Sequence, residues 1–207
     1  MEYLVNMTTH VPEGTPETDV QDVRAREAAH SRELAARGVL LRLWRPPLEP
    51  GEWRTLGLFA AADDDRINNT LASMPLRIWR TDQVSALAPH PNDPGPSASA
   101  RQAATDEKTS EFLVSFTEVI PADTPEHAVD AMHDREADRA RELAAQGHLL
   151  RLWALPAERR ALGLFSGHDG DEMQAILTSL PLFDWLTIET TPLNPHPNDP
   201  GLTNTTR

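Results

Sequence analysis

The apolar-rich run Tyr3-Leu-Val-Asn-Met-Thr8, in which apolar and polar side chains alternate from Val5 onward, reads as a strand, and Pro12-Glu-Gly14 closes it. The period then lengthens. Val20, Val23 and Leu34 are the apolar positions among small alanines, spaced as multiples of three- and four-residue steps, which predicts a helix with one inward stripe. Thr15 or Thr18 can cap it, Glu17 and Asp19 suit the positive end of its dipole, and Gly38 stops it after about Arg37. Val39 to Arg45 reads as a second strand, Pro46 to Gly51 as a turn, and Trp53 to Ala60 as a third strand. A helix follows from Asp63-Asp-Asp65 to Met74, ended by Pro75, and Ile78 to Leu87 is the fourth strand.

This βαββαβ order predicts an α+β fold: an antiparallel four-stranded sheet with both helices on one face, the ferredoxin-like sandwich. On the second strand Leu40, Arg42 and Trp44 alternate with Leu41, Leu43 and Arg45, so large apolar groups are expected on both faces.

The chain then repeats itself. Arg32-Glu-Leu-Ala-Ala-Arg-Gly38 returns as Arg141-Glu-Leu-Ala-Ala-Gln-Gly147, and Leu40-Leu-Arg-Leu-Trp44 as Leu149-Leu-Arg-Leu-Trp153. Leu56-Gly-Leu-Phe59 returns as Leu162-Gly-Leu-Phe165, and His90-Pro-Asn-Asp-Pro-Gly95 as His196-Pro-Asn-Asp-Pro-Gly201. Two long copies indicate two tandem domains, residues 1–93 and 111–201, rather than a solenoid. Residues 94–110, small and polar without periodicity, read as a linker, and 202–207 as a tail. The sheet face left bare by each pair of helices must be covered, which predicts an intrachain pseudo-dimer and, beyond it, a homo-oligomer.

A net charge of −13 and the excess of 32 acidic over 19 basic residues argue against nucleic acid and against an anionic membrane surface. The chain has no cysteine, which excludes disulfides and thiolate metal sites. No metal-ligand spacing, nucleotide loop or nucleophile elbow occurs, and no cofactor is expected. With no apolar run of membrane-spanning length and no basic region before an apolar stretch at the start, a cytoplasmic protein is expected.

Candidate chemistry starts on the first helix. Its stripe also carries Glu27 and His30, and the second copy gives Val129, Met132, Glu136, Arg139 and Leu143. Glu27 and Glu136 thus occupy a sheet-facing position in both copies, where burial raises a carboxylate's pKa and suits it to proton transfer. The competing reading is a structural ion pair of Glu27 with Arg42 or Arg24. Arg42 and Arg151, framed identically in the two copies, could bind a substrate carboxylate. His30 and Arg45 join the substrate-binding candidates but are Arg139 and Ala154 in copy two. Trp44 and Trp153 read first as core or interface and second as substrate platforms. Turn chemistry accounts for the two His-Pro-Asn-Asp-Pro-Gly segments, although a loop histidine could also reach a neighbouring cleft.

The Glu27 helix, Leu43-Trp44-Arg45, Gly57-Leu-Phe59, Leu71-Ala-Ser-Met-Pro75-Leu76 and His90-Pro91 together resemble muconolactone Δ-isomerase. Leu177-Thr-Ser-Leu-Pro-Leu-Phe183 and His196-Pro197 extend the resemblance to copy two. It implies a ferredoxin-like fold, ring assembly of small subunits (typically a decamer), and metal-free, cofactor-free conversion of muconolactone to 3-oxoadipate enol-lactone in aromatic catabolism. It also implies that Glu27 and Glu136 match the family's helix glutamate, with Arg24 and His133 where the family tends to carry lysine. Trp53-Arg-Thr-Leu-Gly57 departs from the family's Tyr-Ala-Asn-Tyr-Ser, and Arg77-Ile-Trp79 and Phe183-Asp-Trp185 from its Phe-Pro-Tyr. The expected activity is therefore a cofactor-free isomerase that shifts a proton in a small anionic unsaturated lactone. The alternatives are a non-catalytic ligand-binding or assembly module, or another cofactor-free reaction such as cyclisation or dehydration of a biosynthetic intermediate.

Overall fold

The computed structural model describes residues 1–96, 109–156 and 159–203. Most of the linker and of the tail expected from the sequence lies outside these residues. The chain divides into two compact units, Met1–Leu87 with Asn194–Arg207, and Ala88–Leu193. The units do not follow the repeat borders. Unit one is copy one with the His196 segment in place of its own His90 segment, and unit two is copy two with the reverse exchange.

Unit one is built from β1 (Glu2–Thr9), α1 (Glu17–Ala36), β2 (Leu40–Arg45), β3 (Arg54–Ala60), α2 (Asp64–Ser73) and β4 (Arg80–Pro89), with a 3-10 turn at Pro75–Ile78. Antiparallel pairing gives the strand order β4-β1-β3-β2. Leu34 from α1 and Ile67 and Leu71 from α2 meet Tyr3, Val5, Leu40, Leu43 and Phe59 in one core, so both helices cover the same sheet face. Unit two repeats this plan with β5 (Ser110–Glu118), α3 (Glu126–Gln146), β6 (Leu149–Ala154), β7 (Arg160–Gly167), α4 (Gly170–Thr178) and β8 (Leu186–Pro195). Its strand order is β8-β5-β7-β6. The α+β, ferredoxin-like reading holds for both.

Local departures have local causes. No side chain caps α1: Pro16 precedes it, and the Thr15 hydroxyl donates to the Pro12 carbonyl instead. Asp63 does cap α2, accepting from the Arg66 N–H. Residues 75–78 turn before the fourth strand can start, so it begins at Arg80 rather than Ile78.

The largest correction concerns β2. Its register against β3 shifts between Leu40 and Arg42, and the same shift recurs between Leu149 and Arg151. One extra residue breaks strict alternation. Leu40 and Leu43 consequently both enter the helix-side core. Arg42 lies over the ring of buried Trp44, 4.8 Å from its centroid, and Arg151 stands at the same distance over Trp153.

Candidate active site

In unit one a cavity of about 320 Å³ opens between α1 and the sheet, with Glu27, Arg24, Arg45, Arg80, Trp53 and His196 among its lining residues. Glu27 is 9% exposed. Its Oε2 accepts the Leu76 N–H at 2.9 Å, a donor presented by the turn that Pro75 begins, and its Oε1 accepts from Arg80 Nη1 at 3.2 Å. Arg80 is not Glu27's alone. Its Nε and Nη2 grip Asp82 at 2.6 and 3.1 Å, and Nη2 also donates to the Leu71 carbonyl. Burial is the largest influence on Glu27 and pushes its pKa above the ordinary glutamate value against the pull of the Leu76 N–H and Arg80, and the Asp82 carboxylate adds a smaller push in the same direction.

His196 lines the same cavity. Its Nδ1 accepts the Asn198 N–H at 3.1 Å, so the neutral ring carries its proton on Nε2 and offers it as a donor. Burial first, then the nearby Arg45 and Arg24, lower its pKa to about 4, which keeps the ring neutral through the physiological range. Arg24 also lies 5.3 Å from the Trp53 ring centroid.

Unit two has a cavity of about 670 Å³ in the corresponding place, with Glu136, His133, Glu118, His90, Leu186 and Phe116 among its lining. Glu136 Oε2 accepts the Leu182 N–H at 3.1 Å, and burial again raises its pKa. His90 mirrors His196: its Nδ1 accepts the Asn92 N–H at 3.1 Å, and burial lowers its pKa.

Several sequence expectations move. Arg42 does not reach the cleft. It grips Asp199 through Nε and Nη2 at 3.0 to 3.2 Å, and Asp199, 1% exposed, also accepts the Leu43 and Gly201 N–H groups. Arg151 is likewise held by Asp93 at 3.2 Å, and the Leu152 N–H donates to the same carboxylate. The bulge causes both departures, because it turns these arginines away from the helix side. His30 is occupied by Ser73 at 3.0 Å and Glu33 at 3.4 Å, outside the cavity lining. Trp44 and Trp153 are buried in the sheet and do not line either cavity. Glu27 and Arg45 line the unit one cavity and Glu136 the unit two cavity.

The ion pair considered for Glu27 exists, but with Arg80 rather than Arg42 or Arg24. Arg80 was hidden because Leu186 replaces it in copy two, and a search for residues kept in both copies passes over it. The two loop histidines did carry a signal, their retention in an identical hexapeptide.

A family model described as muconolactone delta-isomerase matches residues 1–93 and again 110–199. The chain belongs to that family. Muconolactone delta-isomerase of Cupriavidus pinatubonensis is 30% identical over 92 residues, which span 44% of this chain and 97% of that protein. Muconolactone delta-isomerase 1 of Acinetobacter lwoffii is 35% identical over 87 residues, 42% of this chain and 91% of its own length. Each of these muconolactone isomerases is thus matched nearly end to end by less than half of this chain. Among solved structures, a heme-binding protein from Thermus thermophilus covers 96% of this chain and 93% of its own at 11% identity, with a TM-score of 0.59. Chlorite dismutase from Candidatus Nitrospira defluvii in complex with imidazole covers 94% and 91% at 10% identity, with a TM-score of 0.56. These two carry the fold alone. Membership of the muconolactone isomerase family supports an isomerase, and no helix among the described residues is long and apolar enough to cross a membrane.

Proposed function

We propose that unit one is a proton-shifting isomerase of a small anionic unsaturated lactone of the muconolactone type. The observation that carries this reading is Glu27, a desolvated carboxylate at a cavity that also gathers Arg24, Arg45 and a neutral histidine.

The ionised carboxylate of Glu27 takes the acidic C–H proton next to the conjugated carbonyl. The electron pair released from that bond passes into the conjugated system as a dienolate. His196 donates its Nε2–H to the oxygen where charge develops; a neutral imidazole can do this without first losing a proton. Arg45 and Arg24 hold the substrate's carboxylate, replacing the role expected of Arg42 and Arg151. Glu27, now a carboxylic acid, returns the proton at the far end of the conjugated system, so nothing is consumed. The Leu76 N–H and Arg80 keep its two oxygens in place through both steps.

The test is turnover of muconolactone together with its pH dependence. Because Glu27 must be ionised to act, kcat/KM is expected to fall on acidification through a limb above the ordinary glutamate pKa. Asp82→Asn frees Arg80 to favour the ionised form of Glu27 and should shift that limb to lower pH. No muconolactone turnover, or a limb that ignores Asp82, counts against the reading. His196→Phe should lower kcat by about 10²-fold, the scale of losing one donor to a developing oxyanion, with a smaller change in KM. An unchanged kcat removes His196 from the mechanism.

A further inference from the structure

The two cavities share a carboxylic acid and a neutral histidine donor, yet their walls have diverged in one direction. Arg80 is replaced by Leu186, its partner Asp82 by Ile188, Arg45 by Ala154 and Arg24 by His133. The three arginines that line the unit one cavity therefore have no counterpart in copy two. His133 does not stand in for the missing charge as a free group, since Glu118 holds its Nε2 at 2.6 Å.

Other charges at the unit two cavity belong to its edge and largely balance. Arg159 and Arg160 are exposed lining residues, and Glu118 and Asp134 oppose them. The inner wall is apolar: Phe116, Leu149, Leu152, Phe165, Leu182 and Leu186 all line it. Trading long charged side chains for short or aliphatic ones also makes room. The cavity measures about 670 Å³ against about 320 Å³ in unit one. Among the described residues an anionic ligand would meet no buried cation here, whereas an apolar one would remove this wall from water.

We propose that the unit two cavity binds an uncharged, predominantly apolar carbonyl compound, larger than the ligand of unit one. Its carbonyl oxygen takes the His90 Nε2–H, its hydrocarbon portion lies against Phe116, Leu149 and Leu186, and Glu136 faces it as the one proton-transfer group. The chain then carries two binding sites of opposite preference: one cationic and small, one apolar and roomy.

The test is calorimetric titration of the full chain with uncharged γ-alkyl-γ-lactones, from γ-valerolactone to γ-nonalactone. Affinity should rise about two- to fourfold with each added methylene, the signature of apolar burial. Ala137→Trp, which fills the unit two cavity from α3, should weaken γ-nonalactone at least about tenfold. Ala28→Trp, which fills the unit one cavity from α1, should leave γ-nonalactone unchanged. Leu186→Arg combined with Ile188→Asp recreates the Arg80–Asp82 arrangement and should also weaken the neutral ligand, a check independent of how well the tryptophan variant folds. The idea is overturned if affinity does not grow with chain length, if γ-nonalactone fails to bind, or if Ala28→Trp rather than Ala137→Trp abolishes binding. This lactone series decides the matter whatever muconolactone does, so failure here is distinguishable from failure of the unit one reading.

Discussion

Glu27→Gln is expected to cut kcat for muconolactone by about 10²–10⁴-fold, the usual contribution of a positioned general base. Glu136→Gln alone should leave muconolactone turnover close to wild type, because no buried arginine among the described residues lines that cavity to hold a carboxylate. The double variant should show no more residual activity than Glu27→Gln. Steady-state kinetics on the three variants decides this, and full activity in the double variant ends the proton-transfer mechanism. Loss of activity should not come from unfolding. Glutamine still offers an oxygen to the Leu76 N–H, and Arg80 keeps both bonds to Asp82.

Stability should also carry a signature of Glu27. The folded-state pKa of Glu27 is raised, so the folded protein binds its proton more readily than the unfolded chain. That contribution is fully present below the ordinary glutamate pKa and is lost as pH rises through the raised value. Glutamine mimics the protonated form and removes this dependence. Urea midpoints measured across that range should fall with pH in the wild type and flatten in Glu27→Gln, once other groups are subtracted by the comparison. His196 works in the opposite sense. Its pKa is depressed to about 4, so the stability tied to it is present above about 6.5 and is lost as pH falls toward 4.

Asp199→Ala is expected to be the most damaging single change to unit one, costing about 3–5 kcal/mol. The carboxylate is fully buried, holds Arg42 through two nitrogens, and satisfies the Leu43 and Gly201 N–H groups. Removing it takes this acceptor from the Arg42 guanidinium and from the Leu43 and Gly201 backbone donors. The Asp199 N–H, which alanine retains, donates to the His196 carbonyl, so the histidine is tied to a residue that would have lost its own side-chain anchor on Arg42 and Leu43. Asp199→Asn should recover part of the loss by keeping an oxygen for the backbone donors. Denaturant unfolding would show the cost, and a fall in kcat would show the displaced histidine. Near-wild-type stability in Asp199→Ala would mean that the buried pair contributes little.

The element order was legible because it rests on short-range pattern: the apolar run Tyr3–Thr8 alternating from Val5, three-and-four steps from Val20 through Glu27 and His30 to Leu34, and Gly38 and Pro75 as stops. The placement of Glu27 and Glu136 followed from the same periodicity and was legible too. What escaped was anything decided at longer range. A single extra residue near Leu41 turns Arg42 from the helix side, and no local pattern marks it. The retained arginines Arg42 and Arg151 proved to be partners of Asp199 and Asp93, so agreement between copies marked a shared scaffold. The copies disagree at Arg80, Arg45 and Arg24, which line the unit one cavity and which a comparison of the two copies passes over. The hexapeptide His-Pro-Asn-Asp-Pro-Gly looked like turn composition because the arginine its Asp holds and the cavity its His lines are far away in the chain.

Gly201 fits this picture. A side chain there would come within 2.6 Å of Arg42 Nε, so the last glycine of the second hexapeptide leaves space for an arginine from the first copy. The division of the chain has a consequence for how such a protein can be dissected. A polypeptide ending at the border between the copies would keep Glu27, Arg45 and Arg80 but would lack Asp199 and His196. Such a half would therefore keep the buried glutamate and lack the histidine that lines the same cavity, able to recover it only by borrowing it from another molecule.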